Sequence, residues 1–84
     1  MTLLILNFET GDSDVPYWTI YVVVEGTFDG AALDDCFSSY FESANTEDLE
    51  FQDMAEDVLN SMGWTWNFVD TKIPACDSVY TMWL

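Results

Sequence analysis

Histidine is missing from this chain of 84 residues, and lysine and arginine together contribute a single side chain, Lys72. Without His, the side chain that ordinarily titrates near neutral pH is gone, and acid–base catalysis loses its usual agent. The serines have no evident base to activate them, and no glycine-rich phosphate loop of the G-x-x-x-x-G-K kind occurs. The adjacent carboxylates Asp34–Asp35 and Glu56–Asp57 could divide acid and base roles as in glycosidases, but neighbours of this kind on a helix are ordinarily just solvated. Neither catalysis nor a cofactor is expected.

Cysteine is scarce as well. Cys36 and Cys76 stand far apart with no third Cys and no His, which gives neither a zinc spacing nor a redox CxxC, so both read as buried free thiols rather than a disulfide. The acidic turn "DSD" at 12–14 fails as a calcium loop after its second ligand, so no dedicated metal site is expected. The opening "MTLLILNFETGD" lacks a signal peptide's positive start and cleavage site and is too short to span a bilayer, and the expectation is a mature cytosolic protein. The shortage of cations also argues against direct binding to nucleic acid or to a membrane surface, since both are polyanions that recruit Lys and Arg.

What the chain does have is acid. Asp and Glu number 16, for a formal net charge of -15. Charge of one sign on this scale opposes compaction, yet 50% of the residues are apolar and 17% aromatic, well above what a disordered chain carries. One folded domain over residues 1–84 is expected, built around large side chains.

Residues 2–8, "TLLILNF", fit a strand with Leu4, Leu6 and Phe8 on one face, and "GDSDVP" at 11–16 is turn chemistry. Residues 17–25, "YWTIYVVVE", are β-branched and aromatic and complete a hairpin. From Ala31 to about Glu42 the apolar residues fall at helical spacing, at 32, 33, 36, 37, 40 and 41. A second helix is expected after "SAN", with Asn45 or Thr46 as N-cap, Glu47 and Asp48 in its first turn, a stripe of Phe51, Met54, Ala55, Val58 and Met62, and Gly63 as its stop. Residues 64–70 alternate with Trp64, Trp66 and Phe68 on one face, "TKIPACDS" is a loop, and 79–84 is a last strand. The order ββααββ implies an α+β fold, an antiparallel sheet of about four strands with two helices on one face.

Most of Trp18, Trp64, Trp66 and Trp83 are expected in the core, while one row of the second strand, Tyr17, Thr19 and Tyr21, would face away from the helices as a candidate partner or homodimer surface. The acid is concentrated on the helices. Glu50, Asp53 and Asp57 fall together opposite the apolar stripe with Glu56 beside them, and Asp34, Asp35 and Glu42 lie on the outer side of the first helix. At ~1.5 Å of rise per residue, the carboxylates of 50–57 recur about every 3 Å, close to the ~3.4 Å between phosphates along one DNA strand.

In overall charge, near absence of Lys and Arg, length and the acidic segment "TEDLEFQDMAEDVL", the chain resembles the small phage-encoded inhibitors that mimic nucleic acid to block CRISPR effectors, restriction enzymes or repair enzymes. The resemblance implies a stoichiometric blocker in the host cytoplasm that occupies the basic groove of a nucleic-acid-binding protein. The residues expected at that contact are Asp34, Asp35, Glu42, Glu47, Glu50, Asp53, Glu56 and Asp57. An immunity protein or antitoxin for a basic toxin would use the same electrostatics, and a halophilic domain would carry the same charge for solubility alone.

Overall fold

A computed structural model describes residues 1–43, 49–69 and 76–84. The first apolar run forms β1 (Thr2–Glu9), and the β-branched run forms β2 (Tyr17–Glu25), paired with it antiparallel from Thr2↔Val24 to Glu9↔Tyr17. Local hydrogen bonds hold the turn between them. The Thr10 amide donates to the Pro16 carbonyl at 3.0 Å, the Thr10 hydroxyl donates to the Val15 carbonyl, and the Asp14 amide donates to Asp12 Oδ1 at 2.9 Å. Gly11 takes the left-handed conformation that the reversal needs, at φ 78°.

Helix α1 (Gly30–Ser43) begins at an aspartate cap, Asp29, whose Oδ1 accepts the Ala32 amide at 3.1 Å. Helix α2 (Phe51–Met62) starts later than the sequence suggests. Its N-cap is Glu50, extended at φ -77° and ψ 156°. Leu49 before the cap and Met54 within the helix occupy the positions of a hydrophobic staple and both pack on the core, which fixes where the chain turns into the helix. The expected caps Asn45 and Thr46, and the first-turn acids Glu47 and Asp48, lie outside the described residues. Gly63, at φ 74°, ends α2 with its amide on the Asn60 carbonyl.

Strand β3 (Thr65–Val69) adds antiparallel to β2, and β4 (Ser78–Trp83) adds to the other side of β1, giving the order β3-β2-β1-β4. The expected order ββααββ and α+β class hold, but the sheet is mixed rather than purely antiparallel, because β4 runs parallel to β1 from Thr2↔Ser78 to Asn7↔Trp83. The reason lies in β1. It is a central strand bonded on both edges, and β4 begins at its Thr2 end, where Asp77 is tied to Met1 by a backbone bond and an ion pair, so that β4 repeats the direction of β1.

The two helices lie on one face of this sheet. Leu33 and Phe37 of α1 and Met54, Ala55, Val58 and Leu59 of α2 close over Leu4, Leu6, Phe8, Val22, Val24 and Met82. They run antiparallel, since Cys36 meets Ser61 at 3.3 Å and Tyr40 meets Asp57 at 3.0 Å. Both cysteines are free thiols, half-buried rather than buried. Among the described residues no buried side-chain nitrogen or oxygen lacks a hydrogen-bond partner.

Candidate functional site

With their apolar stripes committed to the sheet, the helices turn their remaining faces outward, and the carboxylates go with them. Asp34, Asp35 and Glu42 on α1 and Asp53, Glu56 and Asp57 on α2 are all exposed. Glu50 is exposed too, but at the N-cap of α2 rather than on the helix as expected, because the helix begins only at Phe51. Glu47 lies outside the described residues. The antiparallel helices thus carry their exposed acids on one side of the sheet, with Asp57 at the seam between them beside Tyr40 and Asp34 on the flank of α1 beside Tyr80 of β4.

Two of these carboxylates are held in place by phenols from neighbouring elements. Tyr40 on α1 donates its hydroxyl to Asp57 Oδ2 on α2, and Tyr80 on β4 donates to Asp34 Oδ2 on α1, each at 3.0 Å. Burial is the main cause that lifts the Tyr40 phenol above its ordinary pKa, followed by the hydrogen bond to Asp57 and the negative charges of Asp57 and Asp53. For Tyr80 the hydrogen bond to Asp34 comes first, then burial, then the charges of Asp34 and Asp29. In both pairs the neutral phenol is the donor and the carboxylate the acceptor. A third side-chain tie, from Trp66 Nε1 to Asn60 Oδ1 at 3.1 Å, anchors the end of α2 to β3.

Every Asp and Glu among the described residues is exposed, and the ion pair among them joins the Met1 amino group to Asp77 at 3.1 Å. That pair is largely solvated and holds two strand ends together rather than neutralising the helical layer. No group of three acidic or thiol side chains among the described residues is close enough to hold a metal ion, although the layer is dense in charge.

The opposite face of the sheet is different in kind. Burial of Ile20, Val22 and Val24 against the helices turns the alternate row of β2 away from them, so Tyr17 and Thr19 are exposed there and Tyr21 is half-buried. Trp83 is 67% exposed and meets Tyr17 edge to face, with ring centroids 5.0 Å apart. Trp64 and Trp66 pack on the core as expected, but Trp18 and Trp83 do not. Trp18 is 56% exposed beyond the start of α2, between a groove of about 500 Å³ that includes Gln52 and Phe68 and another of about 450 Å³ that includes Leu49 and Glu50. Sequence reasoning missed these two tryptophans for different reasons: Trp18 is on the helix side but beyond what α2 covers, whereas Trp83 alternates with buried Met82 and so falls on the face that carries no helix.

Among the described residues no helix is long and apolar enough to cross a membrane. Comparison with known protein families, with characterised proteins and with solved structures found no match to this chain.

Proposed function

We propose that the protein is a stoichiometric inhibitor that mimics nucleic acid, its acidic helical layer occupying the basic DNA- or RNA-binding groove of a host defence nuclease, a CRISPR effector or a restriction enzyme. The observation that carries this reading is the outward carboxylate layer of α1 and α2, in which no basic side chain is interleaved. A solvated helix usually intersperses both signs, because pairs three or four residues apart stabilise it and like charges at that spacing do not. Here that local gain is forgone, which is the pattern expected of a surface whose counter-charges belong to a partner. The mechanism is occupancy with electrostatically steered association and involves no chemistry on the partner.

Competition tests it. Titrating the protein into a complex of labelled DNA or RNA with a candidate nuclease should release the nucleic acid at one inhibitor per site. The Asp35→Lys, Glu42→Lys, Glu56→Lys triple variant should stay folded and lose roughly two orders of magnitude in potency, since like charges facing across an interface cost several kcal/mol. A stable ternary complex with nucleic acid still bound, or full potency in the folded triple variant, would overturn the reading. Growth rescue from a basic toxin that binds no nucleic acid would assign the same layer to an immunity protein or antitoxin.

A further inference from the structure

The hairpin end of the molecule combines aromatic rings and carboxylates away from the helical layer. Glu9 and Tyr17 are directly opposite each other in the β1–β2 register and so lie on the same face of the sheet, the one that also carries Trp83. Because the Thr10 amide bonds to the Pro16 carbonyl, residues 10 and 16 are a hydrogen-bonded pair, which makes Glu9 and Tyr17 the closer, non-hydrogen-bonded kind. Beside Tyr17 opens a pocket of about 250 Å³, walled by Glu9, Asp12 and Ser13 on the polar side and by Pro16 and Tyr17 on the apolar side. Its frame is ordered. The Asp12 carboxylate is engaged by the Asp14 amide, and the Glu9 amide donates to the Leu84 carbonyl at 2.9 Å. Next to Tyr17 on the same face, the Thr19 hydroxyl donates to buried Asn7 at 2.7 Å.

We infer that this pocket, with Tyr17 in its wall and Trp83 packed edge to face on Tyr17, is a binding site for an arginine side chain of a protein partner. An aromatic pair attracts a cation through its negative ring faces, and carboxylates beside it supply the counter-charge. The same carboxylates do not gather closely enough for a metal, since no group of three among the described residues could hold one. A planar, weakly hydrated guanidinium fits such a site better than an ammonium, because it can stack on a ring while its edge donates to carboxylate oxygens. The site does not depend on the nucleic-acid-mimic reading, because a basic partner of any function could use it, and it opens at the hairpin end of the sheet, where Glu9 alone also borders the helices.

The test is an amide and indole NMR titration of the full chain with Nα-acetyl-arginine methylamide at fixed ionic strength, with the corresponding lysine compound and matched NaCl as comparisons. The expected result is a saturable shift of the Trp83 indole N–H and of amides in residues 9–14 and 17–19, stronger for arginine than for lysine. Trp83→Ala should weaken it about two- to fivefold, the worth of an exposed cation–π contact. Glu9→Gln should weaken it as well, and this conservative variant keeps the test open if Trp83→Ala fails to fold. Shifts spread evenly over all exposed carboxylates, no saturation, or equal affinity in folded Trp83→Ala and Glu9→Gln would overturn the inference. Loss of nuclease competition without loss of this titration, or the reverse, separates the site from the helical layer.

Discussion

Tyr40 and Tyr80 make the acidic layer sensitive to alkali at two points. Each phenol is neutral when it donates to its carboxylate, and each has its pKa raised in the folded protein, Tyr40 mainly by burial and Tyr80 mainly by its hydrogen bond to Asp34. The folded state therefore holds these protons more tightly than the unfolded chain does. The stabilisation is fully present below the unfolded phenol pKa of about 10 and is lost as pH rises through the higher folded values. Denaturant midpoints should accordingly be level from neutral pH to about pH 9 and fall above about pH 10. The Tyr40→Phe, Tyr80→Phe double variant should start lower and fall less steeply, and parallel curves for the two proteins would show that other groups cause the alkaline loss. The carboxylate partners were legible in the sequence as charges, but their tethers were not. Nothing in the spacing of Tyr80 and Asp34, 46 positions apart, announces a contact that only the fold creates.

Between elements, the tightest constraint lies where α1 begins under β4. A Cβ added to Gly30 would stand 2.5 Å from Cε2 and Cζ of the Tyr80 ring, which has to move to admit it. Alanine is the better helix former by ~1 kcal/mol, yet overpacking of this kind typically costs about 1–3 kcal/mol, and the displaced ring also leaves Asp34. Gly30→Ala should therefore lower stability in urea, and Gly30→Ala in a Tyr80→Leu background should recover much of the loss. Equal losses in both backgrounds would place the cost elsewhere. The elements themselves were largely readable, because strand alternation and helical spacing are local. Three features escaped. The start of α2 depends on Leu49 packing on the core, the parallel run of β4 on its starting beside Thr2 of β1, and the exposure of Trp18 and Trp83 on how far α2 reaches along the sheet and on which face the helices leave bare.

Over the whole molecule, charge and fold meet in the response to salt. The acidic character of the surface could be read from composition alone, since unpaired carboxylates are not buried, and every described one is exposed. Its division into a carboxylate layer on the helices and an aromatic row flanked by Glu9 and Glu25 on the other face could not, because it depends on which side of the sheet the helices take. With 16 acidic side chains and one lysine, few attractive pairs exist to be screened, so added salt should mainly relieve repulsion and raise Tm. Binding to a basic groove should respond in the opposite sense, its on-rate falling as the Debye length shrinks from about 30 Å at 0.01 M to about 8 Å at 0.15 M. Thermal melts and stopped-flow association over the same NaCl series should therefore diverge, with stability rising while association slows. A halophilic domain would give the first trend without any partner whose association salt slows. A partner bound with salt-independent rate and affinity would move the contact from the carboxylates of both faces to exposed rings such as Trp18 and Trp83, because apolar burial, unlike Coulomb attraction across solvent, is not screened.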